Sequence, residues 1–185
     1  MEKGKIILLN GVSSSGKTTL AKALQNKLST PFYLHTFDNY MNGWAEKYIE
    51  EKVYESYLKL QPAVNETFKV FSNSGINSII DNVLLSPFKA MEDFVCKLHD
   101  CPVMLVHVTC SIEELQRREK KRGDREIGQG ESQLQYLSPR DTYDIVIDTE
   151  MNSVEECVEM LIECLNHSEN WNAMEILWKE LQNEK

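Results

Sequence analysis

The chain has 185 residues, with 29 acidic against 20 basic side chains and a net charge of −9. That balance speaks against sequence-independent binding of DNA or RNA, which needs a basic footprint. An apolar share of 42% with 26% charged residues suits one soluble globular domain with a full core, and no window approaches the roughly 18 apolar residues of a membrane span.

Apolar runs and helical patterns alternate along the chain. Met1-Glu2-Lys3-Gly4-Lys5 leads straight into the run Ile6-Ile7-Leu8-Leu9, read as a buried first strand with no signal peptide before it. Leu20-Ala21-Lys22-Ala23-Leu24 opens an amphipathic helix, and Phe32 to Phe37 reads as the second strand. Helical spacing runs from about Trp44 to Phe71, with Pro62 expected to break it into two helices. The third strand is expected within Ser78–Leu85, followed by a helix starting at Pro87, where proline suits a first turn. Pro102 to Val108 reads as the fourth strand, Ser111 to Lys121 as a charged helix, and Tyr143 to Asp148 as the fifth strand. Helices are expected from about Ser153 and from Trp171. Strands separated by helices imply parallel crossovers. The expected architecture is therefore α/β: a three-layer α/β/α sandwich around a parallel five-stranded sheet. No linker or repeat divides the chain, so residues 1–185 read as one domain, closed by C-terminal helices over 153–185.

Between the first strand and its helix stands Gly11-Val12-Ser13-Ser14-Ser15-Gly16-Lys17-Thr18, a complete G-x-x-x-x-G-K-[ST] loop in the strand–loop–helix context the motif requires. Gly11 and Gly16 let successive backbone N–H groups curl inward at phosphate oxygens, and the helix N-terminus adds its positive dipole end. Lys17 reaches the β- and γ-phosphates, and the Thr18 hydroxyl suits the shell of a Mg²⁺ ion. Ser13, Ser14, Ser15 and Thr19 complete the expected nucleotide-binding set, and with this loop the expected fold is the P-loop NTPase fold in its nucleotide-kinase-like form.

Ligands of such sheets gather at the carboxyl ends of the strands. Asp38 follows the second strand and Asp81 lies in the third, so both are expected to face Lys17. A carboxylate inside an apolar strand needs a partner, and a magnesium-water shell is the natural one for Asp81. Arg118, Arg122 and Arg125 stand at i, i+4 and i+7, on one helical face, before a stretch with three glycines, Gly123, Gly128 and Gly130. Cations outside the loop are needed to hold transferring charge, so Arg122 and Arg125 read as arginines of a hinged lid around 118–131. Arg117, Lys120 and Lys121 read as a solvated face. Tyr40, Trp44, Tyr48, Tyr54 and Tyr57 form a helical stripe open to two readings, core packing or an acceptor pocket. His35 reads as a core residue, and His99 and His107 show no zinc spacing. The five cysteines, odd in number and without a C-x-x-C pair, read as reduced thiols of a cytoplasmic protein.

The loop, Phe37-Asp38-Asn39, Ile79-Ile80-Asp81-Asn82-Val83-Leu84-Leu85, Arg118-Glu119-Lys120-Lys121-Arg122-Gly123-Asp124-Arg125 and Tyr143 to Thr149 together resemble the chloramphenicol phosphotransferase-like P-loop kinases over roughly residues 5–150. The resemblance implies transfer of the γ-phosphoryl group of MgATP to a hydroxyl of a small molecule. It implies Asp38 as general base, arginines of the R-G-D-R segment as lid residues, Arg118 as a nucleotide contact, and Asp148 and Thr149 near the adenine. The chain departs from the family's antibiotic-modifying member at Asn82, where that member carries a second aspartate, and over 41–75, which shapes the acceptor pocket. Two alternatives stay open: a nucleoside or nucleotide kinase, and an NTPase or nucleotide-binding regulator without small-molecule transfer. The oligomeric state is open as well.

Overall fold

The computed structural model describes residues 2–123, 126–137 and 142–183, with the side chains at 49, 50, 52–54 and 88 left out. Its sheet is parallel throughout, in the order β2-β3-β1-β4-β5. The strands are β1 (Ile6–Asn10), β2 (Tyr33–Thr36), β3 (Ser78–Asn82), β4 (Val103–Thr109) and β5 (Ile145–Asp148). Parallel neighbours need crossovers. These are supplied by α1 (Lys17–Lys27), α2 (Phe37–Met41), α3 (Glu46–Asn73), α4 (Ala90–Leu98), α5 (Ile112–Arg122) and α6 (Gln129–Leu134). After β5 come α7 (Val154–Asn166) and α8 (Ala173–Asn183).

The two-residue period of a strand sorts the core into two layers. Ile7, Leu9, Ile79, Met104 and Val106 pack against Leu20 and Leu24 of α1 and Val158 and Leu161 of α7. Ile6, Leu8, Ile80 and Leu105 face Val64 and Phe68 of α3, Phe94 and Leu98 of α4, and Met174 and Leu177 of α8. Every residue of β1, β3 and β4 is buried, which is why their apolar residues stand consecutively rather than alternating with polar ones. No helix among the described residues is long and apolar enough to cross a membrane. All five cysteines are free thiols, with Cys101 and Cys157 in the core.

Two expectations need correction. Pro62 sits inside a single continuous α3 rather than between two helices. Proline removes one i→i−4 bond, but the turns on both sides are held by the core. Tyr57 and Leu60 pack on the apolar layer before it, and Val64 and Phe68 are buried after it. Side-chain bonds brace the same stretch, with Gln61 Nε2 donating to Asn65 Oδ1 at 2.9 Å. The helix expected at Pro87 begins later. Ser86–Phe88 forms a 3-10 turn, and Lys89 at φ 49° separates it from α4.

The start of α8 is fixed from a distance by Asp144. Its Oδ1 accepts from Asn172 N at 2.8 Å and Ala173 N at 3.0 Å, and its Oδ2 from Leu105 N at 2.8 Å. One carboxylate thus satisfies first-turn N–H groups of α8 and ties them to β4. Asp144→Ala is expected to lower unfolding stability by about 3 kcal/mol, the scale for losing bonds to a charged acceptor. Urea unfolding checks this, and a loss below about 1 kcal/mol would remove Asp144 as the anchor of α8.

Candidate active site

The strand register brings the carboxyl ends of the sheet to one edge. Leu9 of β1 stands opposite Asp81 of β3, Asn10 opposite both Asn82 and His107, and Thr36 of β2 opposite Asp81. The Gly11–Thr18 loop leaves β1 at this edge. A Cβ on Gly11 would lie 2.2 Å from the Val108 carbonyl oxygen, so only glycine fits where the chain turns past β4. Gly16 at φ 98° is the N-cap of α1. Ser14 adopts φ 63°, a left-handed conformation that a side chain disfavours. The loop is poised for an anion. Among the described residues the buried Ser14 and Ser15 hydroxyls have no hydrogen-bond partner, and Lys17, 7% exposed, donates to Val12 O at 2.9 Å. Buried unpaired hydroxyls, a buried ammonium and a helix N-terminus together fit the phosphates of a nucleotide.

Thr18 Oγ1 donates to Asp81 Oδ2 at 2.5 Å. This pairs the two sequence-read metal residues beside the loop as hydroxyl and carboxylate oxygens, the hard donors that suit Mg²⁺. Among the described residues no group of three His, Cys, Asp or Glu side chains gathers as a self-sufficient metal site. An ion held here would therefore complete its shell with phosphate oxygens and water.

A cleft of about 1130 Å³ opens over the loop and is lined by Lys17, Thr18, Asp38, Asp81 and Asn82 at its floor. Asp38 is the second residue of α2 and is exposed to this space. Phe37, Met41, Tyr57, Val83 and Leu85 give the cleft an apolar flank, and α5 gives it cations, Arg117, Arg118, Lys121 and Arg122. Arg117 and Lys121, read from the sequence as solvated, are exposed and border the cleft. Arg125 lies outside the described residues. Glu114 accepts from Arg117 Nε at 2.5 Å and Arg118 Nε at 2.7 Å, and the Arg117 guanidinium, with Arg118 beside it, holds its carboxyl down to about 2.

Arg118 is a fastener between loops. Its Nη1 donates to Thr149 Oγ1 at 2.9 Å and to Ser14 O at 3.3 Å, and its Nη2 to Thr149 O at 3.0 Å. Thr149 Oγ1 donates in turn to Ser15 O at 2.7 Å. A smaller cavity of about 160 Å³ lies here, between Gly16, Thr19, Arg118, Thr149 and Asn152. Asp148 Oδ1 accepts from Glu150 N at 2.9 Å and Met151 N at 3.1 Å, closing the turn that carries Thr149.

The aromatic stripe divides. Tyr57 lines the cleft and donates to Val83 O at 3.0 Å, whereas Trp44 and Tyr48 pair with each other at 5.1 Å. Tyr40 packs on the core, its hydroxyl 2.7 Å from His35 Nδ1. The side chain of Tyr54 lies outside the described set.

Sequence reasoning missed a buried amide chain at the cleft floor. Val83 N donates to Asn82 Oδ1, Asn82 Nδ2 to Gln61 Oε1, Gln61 Nε2 to Asn65 Oδ1, and Asn65 Nδ2 to Asp93 Oδ2. Asn82 thereby has an acceptor and a donor to satisfy that a second aspartate would not supply in this form. Gln133 and Glu119 were missed as well. Gln133 Oε1 accepts from Ser13 N at 2.8 Å, and Glu119 is fully buried. The one sequence signal for them is Gly130, a glycine within a helix where nothing but close backbone approach favours it.

His35 lies between Phe68 and Phe71 with both rings edge-on, and burial lowers its pKa to about 4. The unfolded chain takes up this proton below about 6.5 while the folded chain does not. The stabilising effect is therefore complete above pH 6.5 and is lost as pH falls toward 4. Melting curves from pH 7 to 4.5 are expected to show a steeper loss for the wild type than for His35→Asn. Parallel slopes would contradict a neutral buried His35.

The family model for chloramphenicol phosphotransferase-like proteins matches residues 4–166. The adenylyl-sulfate kinase of Clostridium kluyveri is 29% identical over 174 residues, spanning 89% of this chain and 85% of that protein. Among solved structures, the APS kinase of Mycobacterium tuberculosis in complex with AMPPNP and APS has a TM-score of 0.67 at 16% identity, covering 90% of this chain and 99% of that one. A gluconokinase from Sinorhizobium meliloti has a TM-score of 0.62 at 15% identity, covering 99% and 98%. At such identities the structural likeness speaks for the fold, that of P-loop kinases.

Proposed function

Because the chain belongs to the chloramphenicol phosphotransferase-like family of kinase-type phosphotransferases, we propose that it moves the γ-phosphoryl group of ATP to a hydroxyl of a small molecule. The observation that carries this reading is the meeting of the phosphate loop, the Thr18–Asp81 pair and Asp38 in one cleft. A site that only held nucleotide would not need a carboxylate across from the loop.

In this reading the loop amides, the Ser14 and Ser15 hydroxyls and Lys17 hold the phosphates. The small cavity beside Arg118 and Thr149 takes the base. Thr18 and Asp81 would hold a Mg²⁺ ion, whose contribution would be to neutralise phosphate charge. Asp38 orients the acceptor hydroxyl and takes its proton. As the acceptor oxygen bonds to the γ-phosphorus, the bond from phosphorus to the β–γ bridging oxygen breaks, and ADP leaves. The protein's part is positioning and charge stabilisation, with Arg122 and Arg125 as lid cations over the transferring group and residues 118–131 as the lid that excludes water. The apolar flank of Tyr57, Phe37 and Met41 suits the carbon skeleton of the acceptor.

The likeness to adenylyl-sulfate kinases supports a specific second acceptor, adenylyl sulfate, a nucleotide rather than a neutral alcohol. The chemistry at Asp38 and the loop is the same for both.

Lys17→Ala is expected to abolish turnover and weaken nucleotide binding. Asp38→Asn is expected to slow transfer by at least about 10²-fold, the low end for general-base assistance, with ATP affinity nearly unchanged. Steady-state kinetics on a responsive acceptor, beside a nucleotide titration, checks both. Normal turnover by Asp38→Asn would remove Asp38 from the base role.

A further inference from the structure

The phosphate loop is gripped from outside by α6. Ser13 N–H donates to Gln133 Oε1 at 2.8 Å, across 120 residues of sequence. The backbone of α6 also rests on the same loop residue, since a Cβ on Gly130 would lie 2.6 Å from the Ser13 carbonyl oxygen. The grip is locked at its far end. The fully buried carboxylate of Glu119 in α5 accepts from Gly128 N at 2.8 Å and Gly130 N at 2.7 Å, the N-terminal amides of α6 that have no helical partner.

The loop has a reason to need such a hold. Ser14 sits at φ 63°, and a non-glycine residue in the left-handed region persists only where its surroundings over-determine it. On one side of Ser14 its carbonyl accepts from Arg118 Nη1 at 3.3 Å. On the other side the hold is the Ser13 N–H bond to Gln133. Released there, the Ser13–Ser14 segment would relax toward ordinary backbone angles and turn the following N–H groups away from the cleft.

We propose that Gln133 is a positioning residue of the phosphate loop. By accepting from Ser13 N–H it keeps Ser14 left-handed and the loop amides aimed at the phosphates, and so sets the affinity of the loop for a nucleotide. Glu119 and Gly130 make this possible by seating α6 on the loop. The proposal rests on the reading of the loop as a nucleotide site.

The test is Gln133→Leu, which keeps much of the side-chain volume and removes the acceptor at a half-buried position. Two quantities are read: the dissociation constant for ADP by calorimetry, and the hydrogen-exchange rate of the Ser13 amide by NMR. The variant is expected to bind ADP about five- to tenfold more weakly, the scale of one lost hydrogen bond. Its Ser13 amide is expected to exchange faster, with the melting temperature unchanged. Unchanged ADP binding despite faster Ser13 exchange would overturn the proposal, as would a weakening that tracks a fall in melting temperature. A wild type that binds ADP no better than Lys17→Ala would instead sink the nucleotide reading. Ser13 exchange would then still report whether Gln133 holds the loop.

Discussion

The in-register parallel pairing of β1 with β3 on one side and β4 on the other is the constraint on which the site depends. β1 is wholly buried, so its chain must leave the sheet at the carboxyl edge without room for side chains. Gly11 makes that exit past the Val108 carbonyl. The same register sets Asp81 opposite Leu9, so that the first turn of α1 returns Thr18 to within a hydrogen bond of it. With β2 beyond β3, the chain emerging from Thr36 delivers Asp38 to the same cleft. The chemistry of the cleft is thus a consequence of strand order more than of any local motif.

Charge is distributed to match. The chain is strongly acidic overall, yet Arg117, Arg118, Lys121 and Arg122 of α5 join Lys17 along one cleft. Glu114 moderates the pair of arginines nearest to it, holding Arg118 in the geometry that fastens the loop to Thr149. A cationic cleft in an acidic molecule draws polyanionic ligands to one place and disfavours them elsewhere.

What was legible in the sequence was local or periodic. The phosphate loop, the five strand segments and the helix starts near Ser111 and Ser153 are fixed by residues within a few positions of each other, and the structure shows both serines capping their helices. The cleft position of Asp38 and Asp81 is legible because strand ends are where ligands of such sheets gather. Strand order is not legible, because nothing local encodes which buried run lies beside which. Pro62 misleads because the propensity of one residue carries no information about the core that holds α3 on both sides. Gln133, Glu119 and the Asn82–Gln61–Asn65–Asp93 chain escaped for a related reason. Their partners lie on other elements, and an isolated glutamine or glutamate on a polar helix looks like any solvated residue.

The most direct test of the account is ³¹P NMR of the purified protein with MgATP and a panel of small hydroxyl compounds that includes adenylyl sulfate and chloramphenicol. The account requires a new phosphomonoester resonance to grow with one acceptor class as the γ-phosphorus signal of ATP declines, and to be absent with Lys17→Ala. Loss of the γ signal to inorganic phosphate alone, whatever hydroxyl is present, would contradict phosphoryl transfer and leave hydrolysis as the reaction of the cleft.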